Sequence, residues 1–275
     1  MHPYIFQTDL FGFLPEPISL HAYGLLIATG FLLAMTLTKR QAEREGEDPE
    51  QMVDLTFYLL LWGLIGARVV FILTQLPLFL ANPMEIVMFW RGGLVWYGGF
   101  LGAVAYLMYN SRRSAVPFFK TVDILIPYMA LAHGFGRLGC LFAGCCFGRP
   151  ANLPWSIVFP PHSMAQAAHY AAHQVTAMAP SLPVHPTQLY EAGAEFAMFG
   201  LLLFMRQRKR FHGQLFLLWV SLYPIIRSII EMYRGDKDRG VYILSTSQYI
   251  SIGVGLMALV LFFVLRRLRG QPMDA

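Results

Sequence analysis

Residues 53–75 read VDLTFYLLLWGLIGARVVFILTQ, a run in which Asp54 and Arg68 are the only charged side chains. A helix of about 20 such residues, rising 1.5 Å per residue, covers the ~30 Å hydrocarbon core of a bilayer and pairs its backbone polar groups internally. Comparable apolar runs fall near 19–38, 93–110, 122–141, 189–205, 214–233 and 247–265. We therefore expect an all-α integral membrane protein: a bundle of about seven transmembrane helices, with residues 1–275 forming a single multi-span membrane domain. Composition agrees, because 56% of the residues are hydrophobic and only 13% are charged, against about 25% charged in an ordinary soluble domain.

Lysine and arginine alternate between the connections. One set holds Lys39, Arg40 and Arg44; Arg112, Arg113 and Lys120; Arg206, Arg208, Lys209 and Arg210; and Arg266, Arg267 and Arg269. The opposite set holds Arg91, Arg149, Arg234, Lys237 and Arg239. The richer set marks the cytoplasmic side, which places the N-terminus outside and the C-terminus in the cytoplasm. The net charge of +5 thus reports orientation, and no nucleic-acid partner is expected. Residues 1–19 lack a basic region followed by a short apolar core, so no removable signal peptide is expected. The longest outer connection, 142–188, carries NLPWSIVFPP and then HSMAQAAHYAAHQVTAMA. It reads as an extracytoplasmic head inserted in the membrane domain, a short strand followed by a helix near the outer surface.

Charges inside apolar runs need a partner or a task, since one at mid-bilayer costs about 2.5–3.5 kcal/mol. Arg137 lies in HGFGRLG, where Gly134, Gly136 and Gly139 let a backbone or a head group approach closely. Arg227 and Glu231, in YPIIRSIIEMYR, share a helix face with Arg234 further on, and Glu191 and Glu195 repeat the four-residue spacing. Arg227 with Glu231, or Arg137 with Glu191, can merely neutralise one another. Taken together with the glycines and the outer basic residues, the arginines suggest a pocket for an anion, and a phospholipid phosphate is the anion expected at that depth. Zinc-protease, serine-hydrolase and P-loop motifs are absent. Cys140, Cys145 and Cys146 are too few and too local for a disulfide framework, and they lack a nearby fourth ligand, so neither metal nor cofactor is expected. His162, His169 and His173 fall at helical spacing, as a metal-binding face or, more simply, a solvated one.

The runs GARVVFIL, RGGLVWYGGFLG, GRLGCLFAGCCFG, HPTQLYE and RSIIEMYR, in that order, resemble bacterial prolipoprotein diacylglyceryl transferases over nearly the whole chain. The resemblance implies transfer of the diacylglyceryl group of phosphatidylglycerol to the lipobox cysteine thiol of a lipoprotein precursor, forming a thioether and releasing glycerol phosphate. The partners implied are phosphatidylglycerol, the precursor's signal peptide and the bilayer of the bacterial cytoplasmic (inner) membrane. Arg137, Arg227, Tyr97 and Glu231 are the implied catalytic residues. Tyr23, Arg68, Gly98, Gly99, Gly148, His185, Gln188, Glu191 and Arg234 join Arg137 and Arg227 as implied phosphatidylglycerol-binding residues.

Three positions depart from the pattern. Tyr97 stands where the family pattern has histidine in F-H-G-G, and Cys140 and Cys145 stand where it has Asn and Glu. A histidine base therefore does not carry over. Tyr97 is expected to donate a hydrogen bond to phosphate or ester oxygens, or else to serve as an interfacial aromatic anchor. The attacking thiol belongs to the substrate, so the three cysteines are not expected to be nucleophiles. The competing reading is a non-enzymatic carrier or flippase for an anionic lipid or solute, using the same arginines.

Overall fold

The computed structural model describes residues 4–8, 18–88, 92–235, 240–241 and 244–268. Arg91, Lys237, Arg239 and Arg269, used above to orient the chain, lie outside the described residues. Each of the seven apolar runs lies on a helix: α1 (Ala22–Arg44), α2 (Pro49–Thr74), α4 (Trp96–Ser111), α5 (Phe118–Ala143), α7 (Thr187–Arg206), α8 (Gln214–Glu231) and α9 (Thr246–Leu268). Two shorter helices are α3 (Leu76–Ala81) and α6 (Met164–Ala171). Among the described residues, strands form two antiparallel ladders, β1 (Tyr4–Thr8) with β2 (Ile18–His21) and β3 (Gly240–Val241) with β4 (Leu244–Ser245).

Among the described residues, four helices, α1, α2, α5 and α8, are long and apolar enough to cross a membrane. Along α2 the residues Phe57, Leu60, Trp62, Ile65, Val69 and Leu73 are exposed; an apolar surface of that extent suits lipid rather than water. Local chemistry sets the start of α2. Gly46 takes a left-handed φ of 71°, and the Asp48 carboxylate accepts from the amides of Glu50 at 2.9 Å and Gln51 at 3.3 Å, with Pro49 opening the first turn.

The chain forms two compact units, one comprising Met1–Ala34 and Ile126–Ala275, the other Met35–Leu125. In the Met35–Leu125 unit, Ala42, Met52, Leu55, Val116 and Ile124 make a buried cluster, and α2 meets α4 along a seam of glycines. A Cβ placed on Gly66 would lie 2.3 Å from the Gly98 carbonyl oxygen, and one on Gly102 would lie 2.3 Å from that of Trp62. Helix backbones touch here because there are no side chains between them. Beside the seam, Arg68 is spent on the chain itself. Its Nε donates to Ile86 O at 3.1 Å and its Nη1 to Gly92 O at 2.7 Å, and Nη2 reaches Glu85 O. The guanidinium also lies over the rings of Phe71 and Phe79.

In the other unit, Ile126, Met198, Leu202 and Leu215 tie α5, α7 and α8 together, and Phe211, Leu217 and Ala258 bring in α9. The 142–188 segment packs Phe147, Phe159, Ala165 and Val184 around Leu141 at the end of α5. The expected strand takes the form of isolated bridges, Pro150 and Ile157 each pairing with Val184. The expected helix is α6, capped by Ser163 Oγ accepting from Gln166 N at 3.2 Å. The three histidines do not share a helix face: α6 ends at Ala171, and His162 and His173 sit outside it with φ of 65° and 57°. His169 is buried and its Nδ1 accepts from Leu182 N at 3.2 Å. Burial also lowers its pKa below the ordinary histidine value.

The glycine seam yields a stability test. Gly98→Ala forces a Cβ against the Gly66 carbonyl and Val70, and is expected to cost about 1–3 kcal/mol. Gly200→Ala, on α7 with open space around it, is expected to leave stability unchanged or slightly raised. Thermal unfolding in detergent, comparing both variants with the parent, checks the pair; equal melting points for the two would remove the close-approach explanation.

Candidate active site

The polar residues of α5, α7 and α8 that the apolar runs had no business carrying meet in one network. Glu191 on α7 is almost fully buried and receives two arginines: Arg137 Nη2 of α5 at 3.0 Å and Arg227 Nη1 of α8 at 3.3 Å. Arg227 Nη2 also pairs with Glu231 at 2.7 Å, one turn along the same helix. Both neutralising pairs weighed in the sequence, Arg137 with Glu191 and Arg227 with Glu231, are thus present, joined because Arg227 also reaches Glu191. Buried charges require this kind of mutual pairing, because desolvation costs each several kcal/mol.

The network continues through residues that the sequence reading did not place in the site. Arg137 Nε donates to His133 Nε2 at 3.1 Å, and His133 Nδ1 lies 2.8 Å from Glu195 Oε1. The acceptor role at Nε2 makes Nδ1 the donor to Glu195. Trp219 Nε1 donates to the other oxygen of Glu195 at 3.4 Å, and Tyr223 stacks on Trp219 with ring centroids 4.8 Å apart. Three pairs four residues apart carried the signal: His133 with Arg137, Glu191 with Glu195, and Trp219 with Tyr223. A narrow crevice lined by Glu191, Glu195, Tyr223 and Arg227 opens beside them.

The glycines around Arg137 divide by role. A Cβ on Gly139 would meet Tyr23 at 3.0 Å, and one on Gly134 would meet the Phe196 ring at 2.5 Å, whereas Gly136 has open space. Tyr23 therefore packs on α5 at Gly139, the residue before Cys140. At the end of α5, Gly144 takes a φ of 68° and Cys146 one of 59°, which turns the chain sharply. The turn is pinned from the start of α7, where Gln188 Nε2 donates to Cys145 O and Thr187 Oγ1 to Cys146 O, both at 2.7 Å. The other amide atom of Gln188, its Oε1, is buried with no hydrogen-bond partner among the described residues. Arg137 Nη1 lies 3.9 Å from Cys146 Sγ. Hydrogen bonds from the Cys140 and Cys145 thiols, and after them the charges of Arg234 and Arg137, hold the Cys146 thiol below the ordinary thiol range.

Gly148 lies between two backbone segments. Its N–H donates to His185 O at 3.0 Å, Arg149 N donates to Tyr233 O at 2.8 Å, and Gly235 N donates to Phe147 O at 3.1 Å. This crossing sets His185 and the buried Arg234 on either side of Gly148. His185 is fixed by Tyr190, whose hydroxyl lies 3.2 Å from its Nδ1 and accepts from Trp155 Nε1 at 2.8 Å. Arg68, Tyr97, Gly98 and Gly99 belong to the other unit: Gly98 and Gly99 line the helix seam, and Tyr97 stands about half exposed in the first turn of α4. The structure thus brings together Tyr23, Arg137, Gly148, His185, Gln188, Glu191, Arg227, Glu231 and Arg234 in one unit.

A Cβ on Gly148 would lie 2.5 Å from His185 O and 2.9 Å from Tyr233 O. Gly148→Ala must therefore part the crossing, at an expected cost of about 1–3 kcal/mol. The amides of Arg149 and Gly235 should then exchange with deuterium faster, while the interior of α7 keeps its protection. Unchanged exchange at both amides would show that the crossing absorbs the methyl.

Comparison with known proteins gives the geometry a family. The family model described as prolipoprotein diacylglyceryl transferase matches residues 10–264. A phosphatidylglycerol–prolipoprotein diacylglyceryl transferase of Clostridium tetani is 29% identical over 262 residues, 95% of this chain and 97% of that protein. Proteins of the same name from Bordetella avium and Erwinia tasmaniensis are each 32% identical, covering 93% and 96% of this chain and 94% of their own lengths. Arg137, the glycine-closed turn, the HPTQLYE helix start that ends on Glu191, and Arg227 all occur within the matched region, and the chain belongs to the prolipoprotein diacylglyceryl transferase family.

Proposed function

We propose that this protein transfers the diacylglyceryl group of phosphatidylglycerol to the lipobox cysteine of lipoprotein precursors. The observation that carries the reading is the convergence of Arg137 and Arg227 on Glu191 inside a membrane protein of this family. The thiolate sulfur attacks an sp³ carbon of the glycerol, a C–S bond forms, and the C–O bond to phosphorus breaks with its electron pair leaving on the phosphate oxygen. No acyl-enzyme is needed. The protein must hold the phosphodiester, align the thiol and stabilise charge growing on the leaving group.

Arginine suits that task, because its planar fork grips two phosphate oxygens and stays charged in an apolar site. Glu191 and Glu231 hold Arg137 and Arg227 by some of their N–H groups, which leaves others for phosphate. Glu231 orients Arg227 in this reading. Tyr23, Gln188, His185 and Arg234 surround the lipid head group, with Gly148 supplying the close approach. Within the Met35–Leu125 unit, Tyr97 offers its hydroxyl to phosphate or ester oxygens, and Arg68, Gly98 and Gly99 shape that unit's own loop and seam. The seven helices on the apolar runs are seven spans, the N-terminus outside and the C-terminus in the cytoplasm of the inner membrane, with 142–188 as the extracytoplasmic head.

The decisive experiment incubates purified protein with phosphatidylglycerol vesicles and a lipobox peptide and reads the peptide by mass spectrometry. A diacylglyceryl mass on the Cys peptide, none on the Ser peptide and none without phospholipid are expected. A carrier would bind the lipid and leave the peptide unchanged. Arg137→Lys and Arg227→Lys should each lose about a hundredfold in turnover while remaining inserted and folded; near-parental turnover in either returns that arginine to a purely structural ion pair. Tyr97→Phe should lose at least about tenfold in turnover with lipid binding retained, and unchanged turnover would leave only an anchoring ring.

A further inference from the structure

Three thiols meet beside Arg137 that the proposed reaction has not used. The Sγ atoms of Cys140, Cys145 and Cys146 all lie within 4.8 Å of one another, each thiol is free, and each cysteine is partly exposed. For comparison, Zn–S bonds of about 2.3 Å in a tetrahedral site put sulfurs a little under 4 Å apart, so a small contraction converts this triangle into a three-thiolate seat. Among the described residues, no histidine or carboxylate joins the group.

The turn that creates the triangle is built for it. Cys146 adopts a left-handed φ of 59°, a conformation that non-glycine residues avoid and that persists where surrounding structure enforces it. The enforcement is visible in the Gln188 and Thr187 side chains, which hold the carbonyls of Cys145 and Cys146. These bonds fix the backbone that carries two of the three thiols, and so limit where their sulfur atoms can lie. Arg137 Nη1, 3.9 Å from Cys146 Sγ, offsets the negative charge that three thiolates around a divalent ion would leave.

The sequence alone gives no expectation of a metal, but once the three sulfur atoms are seen to meet, the missing fourth ligand argues for a particular ion and role. Three thiolates satisfy a monovalent copper ion, whereas Zn²⁺ takes four ligands and, in catalytic sites, keeps the last place for water or substrate. The reaction proposed above supplies a fourth thiol, that of the peptide, and needs it as thiolate. A free thiol is roughly 3% ionised at pH 7. The imidazole nearest Arg137 offers no base, since both ring nitrogens of His133 are engaged, by Arg137 and by Glu195.

We propose that Cys140, Cys145 and Cys146 hold a Zn²⁺ ion whose open position receives the substrate cysteine as a thiolate. This inference rests on the transfer reaction proposed above. On coordination the peptide thiol gives its proton to solvent. The bound thiolate forms the C–S bond as the C–O bond to phosphate breaks, so a thiolate and a phosphodiester monoanion become a thioether and a phosphate monoester dianion. Zinc keeps its oxidation state, and the neutral thioether, a weak ligand, leaves.

The test uses the full chain in detergent, stripped with a chelator and titrated with Co²⁺ as a spectroscopic substitute. About one Co²⁺ per chain is expected, with thiolate charge-transfer absorption and tetrahedral ligand-field bands. Lipobox Cys peptide should shift those bands and Ser peptide should not. Cys140→Ser, Cys145→Ser and Cys146→Ser should each weaken cobalt binding; the chelated parent chain, which needs no substitution, should lose up to about 30-fold in transfer at pH 7 and regain it with Zn²⁺. Cobalt bound no better than by a variant lacking all three thiols, bands indifferent to the Cys peptide, or undiminished transfer by the metal-free protein would overturn the site. Thiol-dependent band shifts without diacylglyceryl transfer under any lipid condition would instead refute the reaction and leave the metal site standing.

Discussion

Glu191 is the point on which the buried chemistry turns. One carboxylate, almost without exposure, answers two guanidinium groups from different helices. Each charge alone would be costly in so dry a place, and together they are tolerable only while α5, α7 and α8 keep one register. A shift of any of the three helices by one residue rotates a charged side chain by about 100° and strands it in apolar surroundings. The extension through His133 and Glu195 to Trp219 multiplies that demand, since every added member must find its partner in the same arrangement.

The glycines give the frame around the charges. On α2 and α4 they let two backbones touch, and at Gly148 they let a loop pass between His185 and Tyr233. Gly98 and Gly99 pack in the seam, and Gly148 packs in the crossing that carries Arg234. Arg68 follows the same logic, its donors committed to the carbonyls of the loop after α3.

The thiol cluster adds chemistry to this frame. The turn after α5 lies between the arginine network and the 142–188 core, and the start of α7 fastens it by two side-chain hydrogen bonds. A substrate thiol delivered there would be within the influence of Arg137, the residue that also reaches Glu191. Nucleophile activation and leaving-group binding are thereby drawn to neighbouring groups on one helix end.

Some of this was legible in the chain itself. Uninterrupted apolar runs dictated helices, because backbone groups in lipid must pair internally, and all seven runs lie on helices. The pairing of Arg227 with Glu231 followed from a four-residue spacing on one helix, and the isolation of Arg137 in an apolar run marked it as needing a partner. Other features depended on which helices meet. Spacing cannot say that Glu191 serves both arginines, that His133 is held between Arg137 and Glu195, or that Gly98 packs against Gly66. The histidines of the 142–188 segment show the limit most plainly: helical spacing put three on one face, but the helix stops at Ala171 and tertiary packing buries His169 alone on it. Periodicity is a property of one element, whereas partners, burial and the closeness of three sulfur atoms are properties of elements brought together.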